Sequence, residues 1–351
     1  MTARRYRGSL AVWLLLLAYA SLYPFGPPRL PAAEALGEFF SRPRYVVPFD
    51  VVLNLVAYLP VGVLATLAFA PGGARAGAMA KAIAFGAAFS FAMESCQLFI
   101  PNRVASVYDL GANTAGTLLG ALAFADPFYS VVVRPLGRWR EEFFVPGAWG
   151  DAGLVLLALW LLAQLNPALP FFGAGNIAAP GEAAPASGAL EWWAVALGIC
   201  GFGLFVSVIL RGEQGSLRMT IVLLSAALWL KFLAASLMLQ PHFSDEWVTT
   251  GRFVGLAAGI AALAPLRRLP RAGRAYVAIL AILAGALLAK IFGAYSAIAD
   301  LLRVFRWPYG QLANFTTLTR FVHELWPFAA LTFLVAVFLR DRRAAHAIIP
   351  P

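Results

Sequence analysis

Apolar runs long enough, or nearly long enough, to cross a lipid bilayer recur along the whole 351-residue chain, with short polar segments between them. A helix needs about 20 apolar residues to span the hydrocarbon layer. Ten runs approach this length, and they lie near residues 10–25, 49–70, 82–100, 109–125, 150–165, 190–210, 219–240, 251–266, 275–294 and 321–339. Proline and glycine stand at the breaks, as in Pro71-Gly72-Gly73. The pattern therefore predicts an all-α fold, a polytopic α-helical integral membrane protein with about ten transmembrane helices.

Composition agrees with this interpretation, since 61% of the residues are hydrophobic and 13% are charged, and the mean hydropathy is +0.76. So few charges cannot cover the surface of a soluble domain of this length, and lipid must be part of the solvent. The two cysteines, Cys96 and Cys200, lie inside apolar runs and are expected to be buried thiols and not a disulfide. Neither a metal nor a cofactor is predicted from the motifs present.

The distribution of lysine and arginine predicts the orientation in the membrane. If the N-terminus is cytoplasmic and the ten helices alternate, 17 of the 27 basic residues fall on the cytoplasmic side and 8 on the outer side. Lys231 and Lys290 fall inside spans. Both termini are therefore predicted to be cytoplasmic. Because the basic residues flank membrane helices, the net charge of +10 is not interpreted as a nucleic-acid-binding surface, and membrane lipids are the expected partners.

A shift of 139 residues superimposes some landmarks of the two halves of the sequence. Gly116-x-x-x-Gly120 falls on Gly255-x-x-x-Gly259, and Gly62 falls on Gly201. Two interpretations are equally open: a parallel four-helix repeat, residues 1–125 and 149–266, with two further helices at the C-terminus, or chance matches of glycine and proline. The predicted domains are a membrane domain over 1–125, a cytoplasmic linker over 126–148 containing a short amphipathic surface helix, and C-terminal membrane helices over 149–351.

Polar side chains concentrate in the first half, where each costs a few kcal/mol near the bilayer centre unless it is paired or hydrated. Asp50 and Asn54 share one face of the second helix, and Asp109 and Asn113 repeat the same spacing in the fourth. In the predicted topology all the polar residues of this group lie at or near the outer surface: Asp50, Asn54, Glu94, Gln97, Arg103, Asp109 and Asn113. They predict one shallow polar site that faces outward.

Residues 1–125 also resemble a VanZ-like domain. The resemblance rests on Tyr23-Pro24-Phe25, Asp50-Val-Val-Leu-Asn54 with Pro60 and Gly62, Glu94-Ser-Cys-Gln97, Arg103, and Asp109-Leu-Gly-Ala-Asn113-Thr-Ala-Gly116. It covers about a third of the chain, and the rest is similar to the longer members only loosely. The resemblance implies a multipass bacterial protein of the cytoplasmic membrane, in a family named for glycopeptide (teicoplanin) resistance. It implies no particular reaction.

These observations predict that the polar site recognises the headgroup of a lipid or of a cell-wall precursor. Arg103 would meet a phosphate, while Asn54, Gln97 and Asn113 would orient the headgroup. Glu94, Asp109 and Asp50 are the candidates for acid–base chemistry, but whether the protein is an enzyme is left open. In the structural alternative, the aspartates cap helices, Arg103 neutralises Glu94 and the amides form interhelical hydrogen bonds.

Two other functions stay open. A flippase or a carrier of a lipid-linked or small polar substrate is suggested by Lys231, which lies deep in the seventh helix and needs a partner, either Glu94 or a carbonyl oxygen or water. A non-catalytic scaffold for envelope enzymes is the third possibility. The sequence leaves the oligomeric state open.

Overall fold

The structure is a computed structural model. It describes residues 3–31, 37, 39, 48–70, 76–101, 103–125, 128–171, 190–212, 215–241, 250–292, 303–306 and 311–346.

The described residues form eleven α-helices and no strand. In chain order they are α1 (Ala3–Leu22), α2 (Pro48–Phe69), α3 (Ala76–Gln97), α4 (Val107–Leu122), α5 (Arg134–Phe143), α6 (Ala148–Gln164), α7 (Leu190–Ile209), α8 (Ser216–Met238), α9 (Thr250–Leu266), α10 (Arg271–Phe292) and α11 (Gln311–His346). A π-helical turn, Tyr129–Val133, precedes α5. Each of the ten apolar runs overlaps one of these helices, so the predicted all-α class is confirmed.

Among the described residues, six helices are long and apolar enough to cross a bilayer: Asp50–Phe69, Ala76–Gln97, Glu191–Ile209, Ser216–Met238, Arg271–Leu288 and Leu312–Arg343. Shorter apolar helices cover Tyr6–Leu22, Ala148–Gln164 and Thr250–Leu266. The chain is therefore a multipass membrane protein. The last helix, Gln311–His346, is longer than the predicted apolar run 321–339, because helical turns with polar residues continue it at both ends. Thr317 in its N-terminal part, for example, satisfies its own hydroxyl by donating to the Ala313 carbonyl, 2.9 Å away.

The chain divides into two compact units. The first consists of Met1–Arg140 with Tyr309–Leu318, and the second of Glu141–Pro308 with Thr319–Pro351. The division falls inside the segment predicted as a linker, and α5 occupies that segment with Leu136 and Trp139 exposed. Cys200 is buried, as predicted, whereas Cys96 is exposed. The prediction for Cys96 was wrong, since its neighbour Gln97, not Cys96, lies on the buried face of α3.

Glycine brings α2 and α4 of the first unit into direct backbone contact. A Cβ atom at Gly116 would overlap the Leu55 carbonyl oxygen, and one at Gly120 would overlap that of Leu59. Small residues allow membrane helices to approach in this way, because dispersion forces and short polar contacts replace the hydrophobic effect between helices in lipid. The contact sets the separation and the rotation of these two helices, and both determine which side chains meet at their ends.

The 139-residue shift matched the Gly116 and Gly120 pair with Gly255 and Gly259, and Gly62 with Gly201. In the second unit, the first match keeps its packing role and the second does not. Gly255 and Gly259 of α9 lie on the carbonyls of Trp192 and Ala196 in α7, where added Cβ atoms would be 2.6 and 2.7 Å from the oxygens. Helix α9 thus packs on α7 as α4 packs on α2. Gly201, however, faces α10 and not α9. The four-helix repeat stays a prediction, supported by the fourth helix of each set.

The substitutions Gly116→Ala and Gly120→Ala are expected to destabilise the protein by about 1–3 kcal/mol each, because the new methyl group meets backbone and forces α2 and α4 apart. Gly111→Ala in the same helix is the matched control, since a Cβ there has no neighbour within 4 Å. Alanine should be neutral or mildly stabilising at that site, because glycine costs a helix up to about 1 kcal/mol relative to alanine. Thermal unfolding of the purified protein in detergent measures the difference. Equal losses at all three positions would contradict the proposed contact.

Candidate functional site

The first unit has one end at which α1 and α3 terminate and α2 and α4 begin, and we call it the polar end. Asp50 and Asp109 stand in the first turns of α2 and α4. Glu94 and Gln97 stand in the last turns of α3, and Arg103 lies in the segment that leads to α4. Successive helices run in opposite directions, so these positions meet at one end of the bundle although they are far apart in sequence.

A short hydrogen bond joins α2 to α4 at this end. The Asn54 Nδ2 atom donates to Asp109 Oδ1 over 2.7 Å. Asp50 precedes Asn54 by one helical turn, and its charge lies within electrostatic range of Asp109. Two carboxylates at the starts of neighbouring helices therefore interact electrostatically, and an asparagine amide holds one of them.

Glu94 connects the end of α3 to the beginning of α4. Its side chain is 3% exposed, and its Oε2 atom accepts from the Ser106 backbone N–H over 2.9 Å. Ser106 is the N-cap of α4 and accepts from Tyr108 N–H through Oγ. Asp109 is thus not the cap, contrary to the structural alternative, and the carboxyl of Asp109 is directed to Asn54 instead. Serine before an apolar helix is a common N-cap, so the sequence carried a signal for Ser106.

Arg103 and Gln97 close the C-terminal end of α1. Arg103 Nη2 donates to the Ala20 carbonyl over 2.7 Å, and Gln97 Nε2 donates to the Ser21 carbonyl over 3.0 Å. The last carbonyls of a helix carry partial negative charge and lack partners within the helix. Arg103 and Gln97 supply hydrogen bonds to two of these carbonyls. The ligand-binding role predicted for both residues stays a prediction.

The Arg103 guanidinium still has capacity for a further partner. Its Nε atom is buried, and no group among the described residues accepts from it. Burial lowers the pKa of Arg103, while the nearby Glu94 carboxylate opposes this shift. An arginine remains charged at neutral pH despite such a shift, so the group is a cation beside an acidic cluster with hydrogen-bond donors to spare.

Asn113 lies one turn further into the bundle than Asp109. Its Nδ2 atom donates to Ser90 Oγ over 2.9 Å, which is an interhelical hydrogen bond between α4 and α3. The Tyr58 hydroxyl lies near Ser90 and Glu94. The sequence analysis missed Tyr58 and Ser90, which look like core residues of apolar helices. Their spacing was the available signal, since each stands four residues from Asn54 or Glu94 and hence on the same helix face.

The structure thus gathers five of the seven predicted residues around one another at the polar end: Asp50, Asn54, Glu94, Arg103 and Asp109. Gln97 turns toward α1, and Asn113 forms part of a deeper layer. Over the described ranges, no three His, Cys, Asp or Glu side chains are arranged to hold a metal ion. Carboxylates that accept hydrogen bonds, beside a guanidinium that donates them, are suited to a ligand with both anionic and donor groups.

Lys231, the other polar residue singled out from the sequence, lies in the second unit. It is fully buried in α8, and its Nζ atom donates to the Asn166 carbonyl over 2.9 Å. The carbonyl partner is therefore the one observed. Nearby, Arg252 of α9 forms a 3.0 Å salt bridge with Glu191 of α7. This pair joins the second and fourth helices of its set, as Asn54 and Asp109 do in the first unit.

Comparison with known proteins supports the resemblance found in the sequence. Residues 9–130 match the model of the VanZ/LLP1 family, close to the predicted range of 1–125. No curated protein and no solved structure matches the chain. The matched range contains most of α1, all of α2 to α4 and every residue of the polar end. The first unit of this membrane protein is therefore built around a VanZ-like domain.

Proposed function

We propose that the polar end binds the headgroup of a lipid or of a cell-wall precursor. The observation that carries the proposal is a row of three carboxylates, each within electrostatic range of the next, beside one incompletely bonded guanidinium. Glu94 lies within electrostatic range of both Asp109 and Arg103, and Asp109 lies within range of Asp50. Like charges so close together are costly in a low-dielectric setting, and a bound ligand with cationic or donor groups would offset that cost.

Arg103 supplies the contact for an anionic group. A guanidinium presents donors in a planar fork that matches the oxygens of a phosphate. One of its Nη atoms is engaged with Ala20, so a phosphate would approach the Nε side, where the buried N–H has no acceptor in the described part of the chain. The carboxylates of Glu94 and Asp109 would accept from ammonium or hydroxyl groups of the same headgroup.

The protein is proposed to reside in the bacterial cytoplasmic membrane with both termini in the cytoplasm. Support comes from the twofold excess of basic residues on that side when the ten helices alternate. This orientation places the polar end at the outer face, where cell-wall precursors are assembled. A role in glycopeptide resistance, which the family name suggests, would follow from contact with such a precursor.

The substitution Glu94→Gln is expected to weaken headgroup binding roughly tenfold, corresponding to about 1.4 kcal/mol, because it removes the charge that accepts from the ligand. On this proposal, the wild-type protein confers teicoplanin tolerance, and cells that produce the variant should lose it. Susceptibility assays at matched membrane levels of protein provide the measurement. Glu142→Gln is the control, since Glu142 is exposed on α5 and undergoes the same chemical change. Unaltered tolerance with Glu94→Gln would sink the proposed site.

Cysteine labelling tests the orientation. In a protein without Cys96 and Cys200, Val104→Cys at the polar end and Val131→Cys before α5 provide exposed positions, since the native side chains are 75% and 70% exposed. A membrane-impermeant maleimide should label position 104 in intact cells and position 131 only after lysis. The reverse pattern would place the polar end in the cytoplasm and contradict an outward-facing site.

A flippase or a carrier is the second candidate, and Lys231 favours it. A buried ammonium with one backbone acceptor is expensive inside a membrane helix, and such residues commonly serve transport. In proteoliposomes the wild-type protein should then speed the transfer of a fluorescent phosphatidylglycerol between leaflets. Lys231→Met should abolish most of this transfer, whereas Lys81→Met, at an exposed position, should not.

Transfer no faster than in protein-free liposomes would rule the carrier out. A scaffold for envelope enzymes would show itself differently, as a stable complex that persists when Glu94 and Arg103 are replaced.

A further inference from the structure

Two buried polar groups beneath Glu94 are incompletely hydrogen-bonded. The Tyr58 side chain is 3% exposed and that of Asn113 is 5% exposed. Within the part of the chain that the structure describes, Asn113 Oδ1 has no hydrogen-bond partner, and the Tyr58 hydroxyl makes no hydrogen bond of standard geometry. Ser90 accepts from Asn113, and the Tyr58 hydroxyl interacts with the same Ser90 side chain. An acceptor is therefore unpaired and a donor is only weakly bonded, both beside one serine.

The assignment of the amide atoms does not change this conclusion. If the nitrogen and oxygen of Asn113 were exchanged, Ser90 would pair with the oxygen and the nitrogen would be left without a partner. In either orientation one end of the amide is buried and unpaired. In proteins the great majority of buried polar groups have a hydrogen-bond partner, and the hydrocarbon core of a bilayer supplies no water that could serve as one.

These residues form a second layer under the polar end. Tyr58, Ser90 and Asn113 stand one helical turn further in than Asn54, Glu94 and Asp109, respectively, and each lies on the same face as its counterpart. The upper layer is joined by the bond from Asn54 to Asp109, and the lower layer by the bond from Asn113 to Ser90. Each of α2, α3 and α4 thus contributes one residue to each layer.

The floor of the lower layer is closed. Thr117 follows Asn113 by one turn and donates its hydroxyl to the Asn113 carbonyl over 3.0 Å. A Cβ atom at Gly86 would come within 2.5 Å of the Thr117 side chain, so α3 and α4 are in tight contact there. A group that reaches the lower layer from the polar end can go no further.

We propose that Tyr58, Ser90 and Asn113 form a subsite for a single hydroxyl group. A hydroxyl accepts from the Tyr58 O–H and donates to Asn113 Oδ1 at the same time. A methyl group can do neither, and a phosphate would face the Glu94 carboxylate directly above. The hydroxyl belongs either to the bound headgroup or to a water molecule beneath it. If the hydroxyl belongs to the headgroup, the inference rests on the proposed function. It then adds that the preferred headgroup carries a free hydroxyl, as a glycerol or a sugar does.

The test compares the thermal unfolding of the purified full chain in nanodiscs of phosphatidylglycerol and of phosphatidic acid. Both lipids carry a phosphate, but only the first has glycerol hydroxyls on its headgroup. Tyr58→Phe removes the phenolic donor and preserves the ring. Tyr276→Phe is the control, because Tyr276 is exposed on α10 and its substitution should leave the unfolding temperature unchanged in both lipids.

If a headgroup hydroxyl fills the subsite, the wild-type protein unfolds at a higher temperature in phosphatidylglycerol, and Tyr58→Phe removes most of this difference. If water fills it, Tyr58→Phe lowers the unfolding temperature equally in both lipids, by about 2–4 °C. In both cases Tyr58→Phe and Asn113→Ala should be non-additive, because the bridging group couples them.

The inference is overturned if Tyr58→Phe raises or does not alter the unfolding temperature in both lipids, or if the two substitutions are additive. The first outcome would mean that the hydroxyl is simply an unpaired group whose removal is harmless. Failure of the proposed headgroup site is distinguishable, since Glu94→Gln would then leave teicoplanin tolerance intact while the coupling of Tyr58 and Asn113 through water persists.

Discussion

The glycine contact between α4 and α2 is the constraint on which the rest of the first unit depends. Because Gly116 and Gly120 admit the carbonyls of Leu55 and Leu59, the two helices approach closely enough for Asn54 to reach Asp109 with a 2.7 Å hydrogen bond. A side chain at either glycine would widen the gap, and the short amide would no longer span it. The site is therefore set by backbone packing that begins beside Asn54 and about two turns from Asp109.

Polar side chains are costly inside a membrane unless they are hydrogen-bonded, and the packing of the helices supplies their partners. Asp109 and Glu94 are each held by a hydrogen bond from a neighbouring element, Asn54 in one case and the Ser106 backbone in the other. The structural and functional interpretations of these residues are thus compatible. Bonds that join the helices also hold the carboxylates within electrostatic range of one another, and the proposed ligand would relieve the resulting repulsion.

Arg103, at the end of α1, likewise combines a structural role with the proposed binding role. One of its Nη atoms completes the hydrogen bonding of a helix C-terminus, which orients the guanidinium, while its Nε remains available. An arginine positioned in this way is preorganised, so less side-chain entropy is lost when an anion binds. Gln97 also caps α1, through its bond to the Ser21 carbonyl.

The sequence by itself determined the class of protein, the helices and the residues worth examining. Hydropathy and the cost of burying polar groups are local properties. They therefore predicted the helices from the ten apolar runs, and the polar site from the residues between Asp50 and Asn113, without knowledge of contacts. Only the tertiary structure decided the partners. It turned Gln97 toward α1, exposed Cys96, made Ser106 the N-cap and added Tyr58 and Ser90 beneath Glu94. The reason is physical: which side of a helix meets its neighbour depends on its rotation about its own axis, and close packing between helices, not hydropathy along them, fixes that rotation.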